Sequence, residues 1–350
     1  MNSLTQFGWT QQNQLDWDAL EFKDLQPARV VADFGTSLKL ATPEIITAEL
    51  SGKLAHYSSR DETPKVGDWV AVRILDNGAV VESVVLRANE IARKVAGKRA
   101  LKQIFAANVD IAFVLLALDN DFSVERLKRF LFQLSVNKIE AAIVLNKADK
   151  TDDLQSYITQ LELFDVPVIV TIATDDSKAD ELMALIKPGR TAILLGSSGV
   201  GKSTLTNKLL GREAQETKEV RASDSTGKHT TVHRELFILP NGGILIDTPG
   251  IRELQLWGTE EELDANFDDI ALLATKCKYT NCRHEHEKGC AVHKALANNM
   301  LDKNHYANYL KMKSEVSKLG VKNAERAKQQ NARVRKDNST KNYRYFSEDD

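Results

Sequence analysis

Gly196-Ser197-Ser198-Gly199-Val200-Gly201-Lys202-Ser203 constrains this chain more than any other feature. The run matches GxxxxGK[ST], a phosphate-binding loop that works between a strand and the helix that follows it. Both flanks are present: apolar TAILL at 191–195 and helix-like KSTLTNKLL at 202–210. The glycines let backbone N–H groups wrap a phosphate. Lys202 brings a point charge to the terminal phosphates, and the Ser203 hydroxyl ligates Mg2+. At ordinary residue frequencies a chain of this length carries about 0.01 such matches by chance. An α/β nucleotide-binding domain is therefore expected.

The texture around the loop agrees. From about 98 to 256, VDIAFVLLAL, AAIVL, VPVIVTIA and TAILL read as strands buried on both faces. Helix-like segments at 124–136, 154–164 and 179–186 alternate with them, so a mostly parallel sheet with helices on both sides is expected.

A phosphate loop does not choose the base. Asn146-Lys147-Ala148-Asp149, an NKxD tetrad after the strand AAIVL, does. The aspartate accepts two hydrogen bonds from the N1 and N2 donors of guanine, a pair that adenine lacks. Asn137-Lys138-Ile139-Glu140 is a decoy: it follows a helix and carries the longer Glu. Asp247-Thr248-Pro249-Gly250 supplies a third element. Asp247 would hold Mg2+ through water, and the Gly250 N–H would sense the γ-phosphate. Asp224-Ser225-Thr226-Gly227 matches DxxG too, but only Asp247 ends an apolar strand, GILI. The nucleotide-binding set is thus Asn146 to Asp149, Gly196 to Ser203 with Thr204 beyond it, Asp247 and Gly250. NKxD precedes the phosphate loop, whereas guanine-nucleotide enzymes usually run in the opposite order. A circular permutation preserves such a site when the original termini lay close together.

Before this domain lie five β-branched runs between 28 and 86, separated by turns such as Asp76-Asn77-Gly78. They suit a small barrel of OB type, and a small open sheet would read the same. Residues 1 to about 25 are polar, hold Trp9 and Trp17, and show no clear period. The start MNSLTQFGWTQQ lacks a basic stretch followed by an apolar one, so no export signal is expected.

After the domain, Cys277, Cys282, His284 and Cys290 read C-x4-C-x-H-x5-C, which fits a closed structural zinc site. Spacing alone leaves His286 and His293 as rival ligands. All 3 cysteines fall in this window, so a disulfide framework is not expected and a reducing compartment is. A long Lys-rich helix is expected from about Lys303. The formal net charge of −2 argues against a nucleic-acid partner only as an average. From Lys276 to Phe346, 17 Lys and Arg face 6 Asp and Glu, a surplus that suits RNA phosphates.

This combination resembles the RsgA family of small ribosomal subunit biogenesis GTPases. The likeness rests on the permuted motifs, on PKVGDWV at 64–70, on GKHTT at 227–231 and on the cysteine cluster. It implies a multidomain chain: an OB-like barrel at 1–97, a circularly permuted P-loop GTPase domain at 98–256 and an α-helical zinc-binding domain at 257–350. It implies His284 as the fourth zinc ligand and Thr231 as the residue completing the Mg2+ shell. Ile251 stands where Ras-like enzymes carry a water-orienting Gln and cannot orient water. By resemblance to the family's switch histidine, His229 is the catalytic candidate beside Lys202. The implied activity is hydrolysis of GTP to GDP, with Mg2+ and one Zn2+. The implied partner is the 30S subunit and its rRNA, with hydrolysis coupled to release, by a cytoplasmic monomer with no membrane contact. Two rivals stand beside it: a P-loop ATPase, and an RNA-binding module in which nucleotide only sets conformation.

Overall fold

A computed structural model describes residues 3–57, 61–94, 102–119, 121–172, 178–211, 234–248, 254, 256–285 and 287–318. The described residues divide into two compact units, one within 1–96 and 101–255, the other within 256–350.

The first unit opens with a 3-10 turn, Ser3–Phe7, and helix α1, Gln11–Ala19. No residue of α1 is buried. The helix stands on local chemistry: Thr10 and Asn13 form a capping box, and Gln12 and Gln14 donate to Asp16 and Asp18 one turn on. Such a helix has no apolar period to read, which is why the sequence reading found no element there.

Strands β1 (Gln26–Asp33), β2 (Leu38–Ala41), β3 (Ile45–Leu50), β4 (Trp69–Leu75) and β5 (Gly78–Val84) follow, with α2 (Gly52–Tyr57) between β3 and β4. Their order is β1-β2-β3-β5-β4, and β4 pairs back onto β1. The five strands therefore close into a barrel, and the open-sheet alternative falls away. Val30, Leu40, Ala48, Val70, Val72 and Val81 fill its interior, with Leu54 of α2 packed among them. Along β1 the burial does not alternate. Val30 faces the barrel interior, while Val31 joins the core shared with the α/β sheet.

A hairpin, β6 (Glu90–Lys94) and β7 (Lys102–Ala107), forms a separate two-stranded sheet. The α/β part then runs β8 (Ile111–Ala117), α3 (Val124–Val136), β9 (Glu140–Asn146), α4 (Leu154–Leu161), β10 (Val168–Val170), α5 (Ala179–Leu185), β11 (Thr191–Leu195), α6 (Lys202–Leu210), β12 (Arg234–Ile238) and β13 (Ile244–Asp247). Strands lie in the order β10-β9-β8-β11-β13-β12, with only β12 antiparallel to its neighbour. Leu127, Phe130 and Leu134 of α3 and Leu161 of α4 belong to one core cluster. Leu182 of α5 and Leu205 and Leu209 of α6 belong to a second. Helices thus cover both faces, as the unbroken apolar strands require.

Arg29 of β1 ties this unit together. Its buried guanidinium donates to the carbonyls of Phe7, Gly67 and Asn108, and at 2.9 Å to the Thr191 hydroxyl at the start of β11. It also lies 5.0 Å from the centre of the Trp69 ring. Gly67, in the PKVGDWV segment, has φ +91°, and a Cβ there would sit 2.2 Å from the Ala107 carbonyl oxygen. Only glycine fits such an approach.

The second unit holds α7 (Glu260–Ala265), α8 (Asp268–Ala274), α9 (Ala291–Ala297) and a helix at 303–318, α10. Tyr306, Tyr309, Met312 and Val316, three or four apart, give α10 one buried face. Tyr309 donates to Asp264 of α7 at 2.7 Å. No helix among the described residues is long and apolar enough to cross a membrane.

Candidate nucleotide and metal sites

The phosphate-loop residues leave β11 at its carboxyl end and enter α6. Gly196 turns the chain with φ +148°, and a Cβ there would meet the Leu115 carbonyl oxygen of β8 at 2.8 Å. Gly201, at φ +104°, caps the start of α6. Ser198 and Gly199 are exposed, Val200 is buried, and Ser203 and Thr204 are half-buried on the first turn of α6. A helix start reached through such a turn aims free N–H groups at an anion.

Lys202 is buried, and its ammonium donates to the carbonyls of Gly196 (2.9 Å) and Ser197 (2.5 Å). Burial pulls its pKa down to about 8, against the opposing charges of Asp247 and Asp121. Asp247 ends β13, where burial pushes its pKa up to about 6 while Lys202 opposes that shift. The next residue, Thr248, donates to the Leu194 carbonyl at 3.3 Å, joining the end of β13 to β11.

The NKxD residues stand at the end of β9. Asn146 is buried, and its amide donates to the Val200 carbonyl at 2.7 Å. One bond thus fixes the tetrad to the phosphate loop. Lys147 adopts a left-handed backbone, φ +61°, and pairs with Asp119 at 2.8 Å. Ala148 begins a 3-10 turn, and its N–H donates to the Thr171 carbonyl at 3.4 Å. The side chain of Asp149 is 42% exposed, and its Oδ2 pairs with the exposed Lys150 ammonium at 3.3 Å. The decoy behaves otherwise: Asn137 caps the end of α3, and Glu140 pairs with Arg190 at 2.8 Å.

His229, Thr231, Gly250, Ile251, Asp224 to Gly227, His286 and the chain after 318 lie outside the described residues. The sequence reading missed two side chains beside this site. Asp119 holds Lys147, and Arg126 of α3 donates to the Ser197 hydroxyl. Neither belongs to a motif, so only the fold reveals them.

In the second unit, one ligand atom from each of Cys277, Cys282, His284 and Cys290 lies within 4.8 Å of the others. Cys277 Sγ is 3.9 Å from Cys290 Sγ and 3.5 Å from His284 Nδ1, which is 3.4 Å from Cys290 Sγ. A tetrahedral zinc with Zn–S bonds of about 2.3 Å needs edges of about 3.8 Å, so the cluster fits the ion. The Ala291 N–H points at Cys277 Sγ and the His293 N–H at Cys290 Sγ, as suits thiolates at the start of α9. His293 is not a ligand here. Its Nε2 lies 2.7 Å from the His284 carbonyl, so it braces the residue that supplies Nδ1.

Residues 84–257 match the RsgA GTPase family. The chain is 36% identical to the small ribosomal subunit biogenesis GTPase RsgA of Syntrophotalea carbinolica over 90% of both proteins. It is 38% identical to the protein of that name from Leptospira interrogans, over 89% of this chain and 88% of the relative. For Xanthomonas oryzae pv. oryzae the identity is 40%, over 87% and 85%. The crystal structure of YjeQ from Thermotoga maritima aligns with TM-score 0.60 at 26% identity, covering 83% of this chain and 98% of that one. YloQ, described as a circularly permuted GTPase, aligns with TM-score 0.57 at 23% identity over 84% and 96%, a likeness of fold.

Proposed function

The chain belongs to the RsgA GTPase family, and from that membership we propose that it binds the small ribosomal subunit late in assembly and couples GTP hydrolysis to release. It is a GTPase, and the family implies guanine nucleotide with Mg2+. In this reading Asp149 reads the base, residues 196–204 wrap the phosphates, and Ser203, Asp247 and Thr231 hold Mg2+. Lys202 carries charge to the γ-phosphate, His229 orients the attacking water, and Gly250 senses the γ-phosphate.

The 1–97, 98–256 and 257–350 portions act as an RNA-gripping barrel, a motor and a zinc-stabilised RNA contact. The protein works as a cytoplasmic monomer. The observation that supports the nucleotide part of this reading is the Asn146–Val200 bond, which ties the NKxD tetrad to the phosphate-loop segment. Closed by four ligands, the metal site leaves zinc a structural task.

The test measures GTP hydrolysis with and without purified small subunits. Stimulation by subunits, lost in Lys202→Ala, is the expected result. A rate indifferent to subunits would overturn the ribosomal coupling.

A further inference from the structure

Helix α3 packs under the sheet through Leu127, Phe130 and Leu134, which fixes the residue before Leu127 in space. That residue is Arg126. Its N–H is capped by the Ser123 hydroxyl at 3.2 Å, and its guanidinium folds back over the helix start. One nitrogen, Nη1, bonds Asp121 at 2.8 Å and also reaches the Ser197 hydroxyl, while Nη2 bonds the Asp121 carbonyl. Ser197 is buried, and its own carbonyl accepts the Lys202 ammonium at 2.5 Å. A chain of contacts therefore runs from Asp121 through Arg126 and Ser197 to Lys202.

We propose that Arg126 is a positioning residue for GTP binding: held by Asp121, it fixes Ser197 and with it the seat of the Lys202 ammonium. The inference rests on residues 196–203 being the phosphate site. The planar guanidinium suits the task because it presents several donors in a fixed fork, whereas an ammonium is a single point. The side chain of Arg126 is 15% exposed and that of Asp121 37%, so water screens the ion pair only from the carboxylate side. The Asp121 charge also reaches Lys202. Without Arg126 that carboxylate stands uncompensated. It then repels an incoming triphosphate and competes with it for the ammonium.

Arg126→Ala should raise KM for GTP by about ten-fold, the size expected for a lost charged hydrogen bond, with a smaller change in kcat. GDP carries less charge, so its affinity should fall less. Arg126→Lys should lie between the two. Adding Asp121→Asn to Arg126→Ala should restore only the part of the loss owed to the stray charge, because the Ser197 contact stays lost. A purely structural role for Arg126 would not produce that recovery.

An unchanged KM in Arg126→Ala would overturn the proposal, as would full recovery on adding Asp121→Asn, which would leave the Ser197 contact without effect. Lys202→Ala runs alongside. Undiminished hydrolysis by that variant would instead overturn the phosphate-site reading beneath the proposal.

Discussion

Arg29→Met asks how much one buried guanidinium holds together. Methionine keeps an apolar stem of comparable length and removes every N–H. The carbonyls of Phe7 and Asn108 and the Thr191 hydroxyl then lose this donor, while the Gly67 carbonyl keeps the Asn108 amide. A buried polar group left unsatisfied costs about 1–3 kcal/mol. Part of that is offset, because burial already disfavours the Arg29 charge and lowers its pKa from 12.5 to about 10. The net loss should be about 3 kcal/mol, the low end for breaking a buried charged contact. With an m-value of about 3 kcal/mol/M, the urea midpoint should fall by about 1 M. Tryptophan fluorescence reads the transition directly: Trp69 lies beside the guanidinium, and the Trp9 and Trp69 rings are 4.7 Å apart. A midpoint shift below about 0.2 M would refute the claim that Arg29 joins the N-terminal turn, the barrel and β11.

Two further outcomes follow. Gly67→Ala should lower the melting temperature by several degrees or leave the chain insoluble, since its Cβ would overlap the Ala107 carbonyl at a positive φ; a scanning calorimetry trace matching the parent would contradict that. Elemental analysis should find about one zinc per chain, and Cys290→Ser or a strong chelator should lower the thermal stability of the second unit while GTP binding by the first persists.

Much of this was legible in the sequence because the chemistry sits in contiguous words. GSSGVGKS and NKAD each carry their own spacing, and strands such as IAFVLLA announce themselves by burial on both faces. Barrel closure was not legible, because the β1–β4 pairing joins segments some 40 residues apart. Helix α1 was missed because it packs through the half-buried Trp17 with no apolar period and stands on capping and side-chain amide hydrogen bonds. The choice between His284 and His293 needed coordinates: both lie near the cysteines in sequence, and only His284 turns a ring nitrogen toward the sulfurs. Arg29 and Arg126 are single arginines with no motif, and their partners lie up to 162 residues away.

The pairing of β1 with β12 has a consequence for solubility. In an α/β sheet standing alone, β12 would be the terminal strand, with a row of unsatisfied N–H and C=O groups. Here Ala32 and Asp33 of β1 lie against Glu235 and Arg234. The opposite end is β10, only three residues long. Exposed strand edges recruit other chains, and short or covered edges do not. The barrel therefore shields the sheet against edge-to-edge aggregation, and a GTPase domain expressed without residues 1–97 would carry a sticky flank at β12.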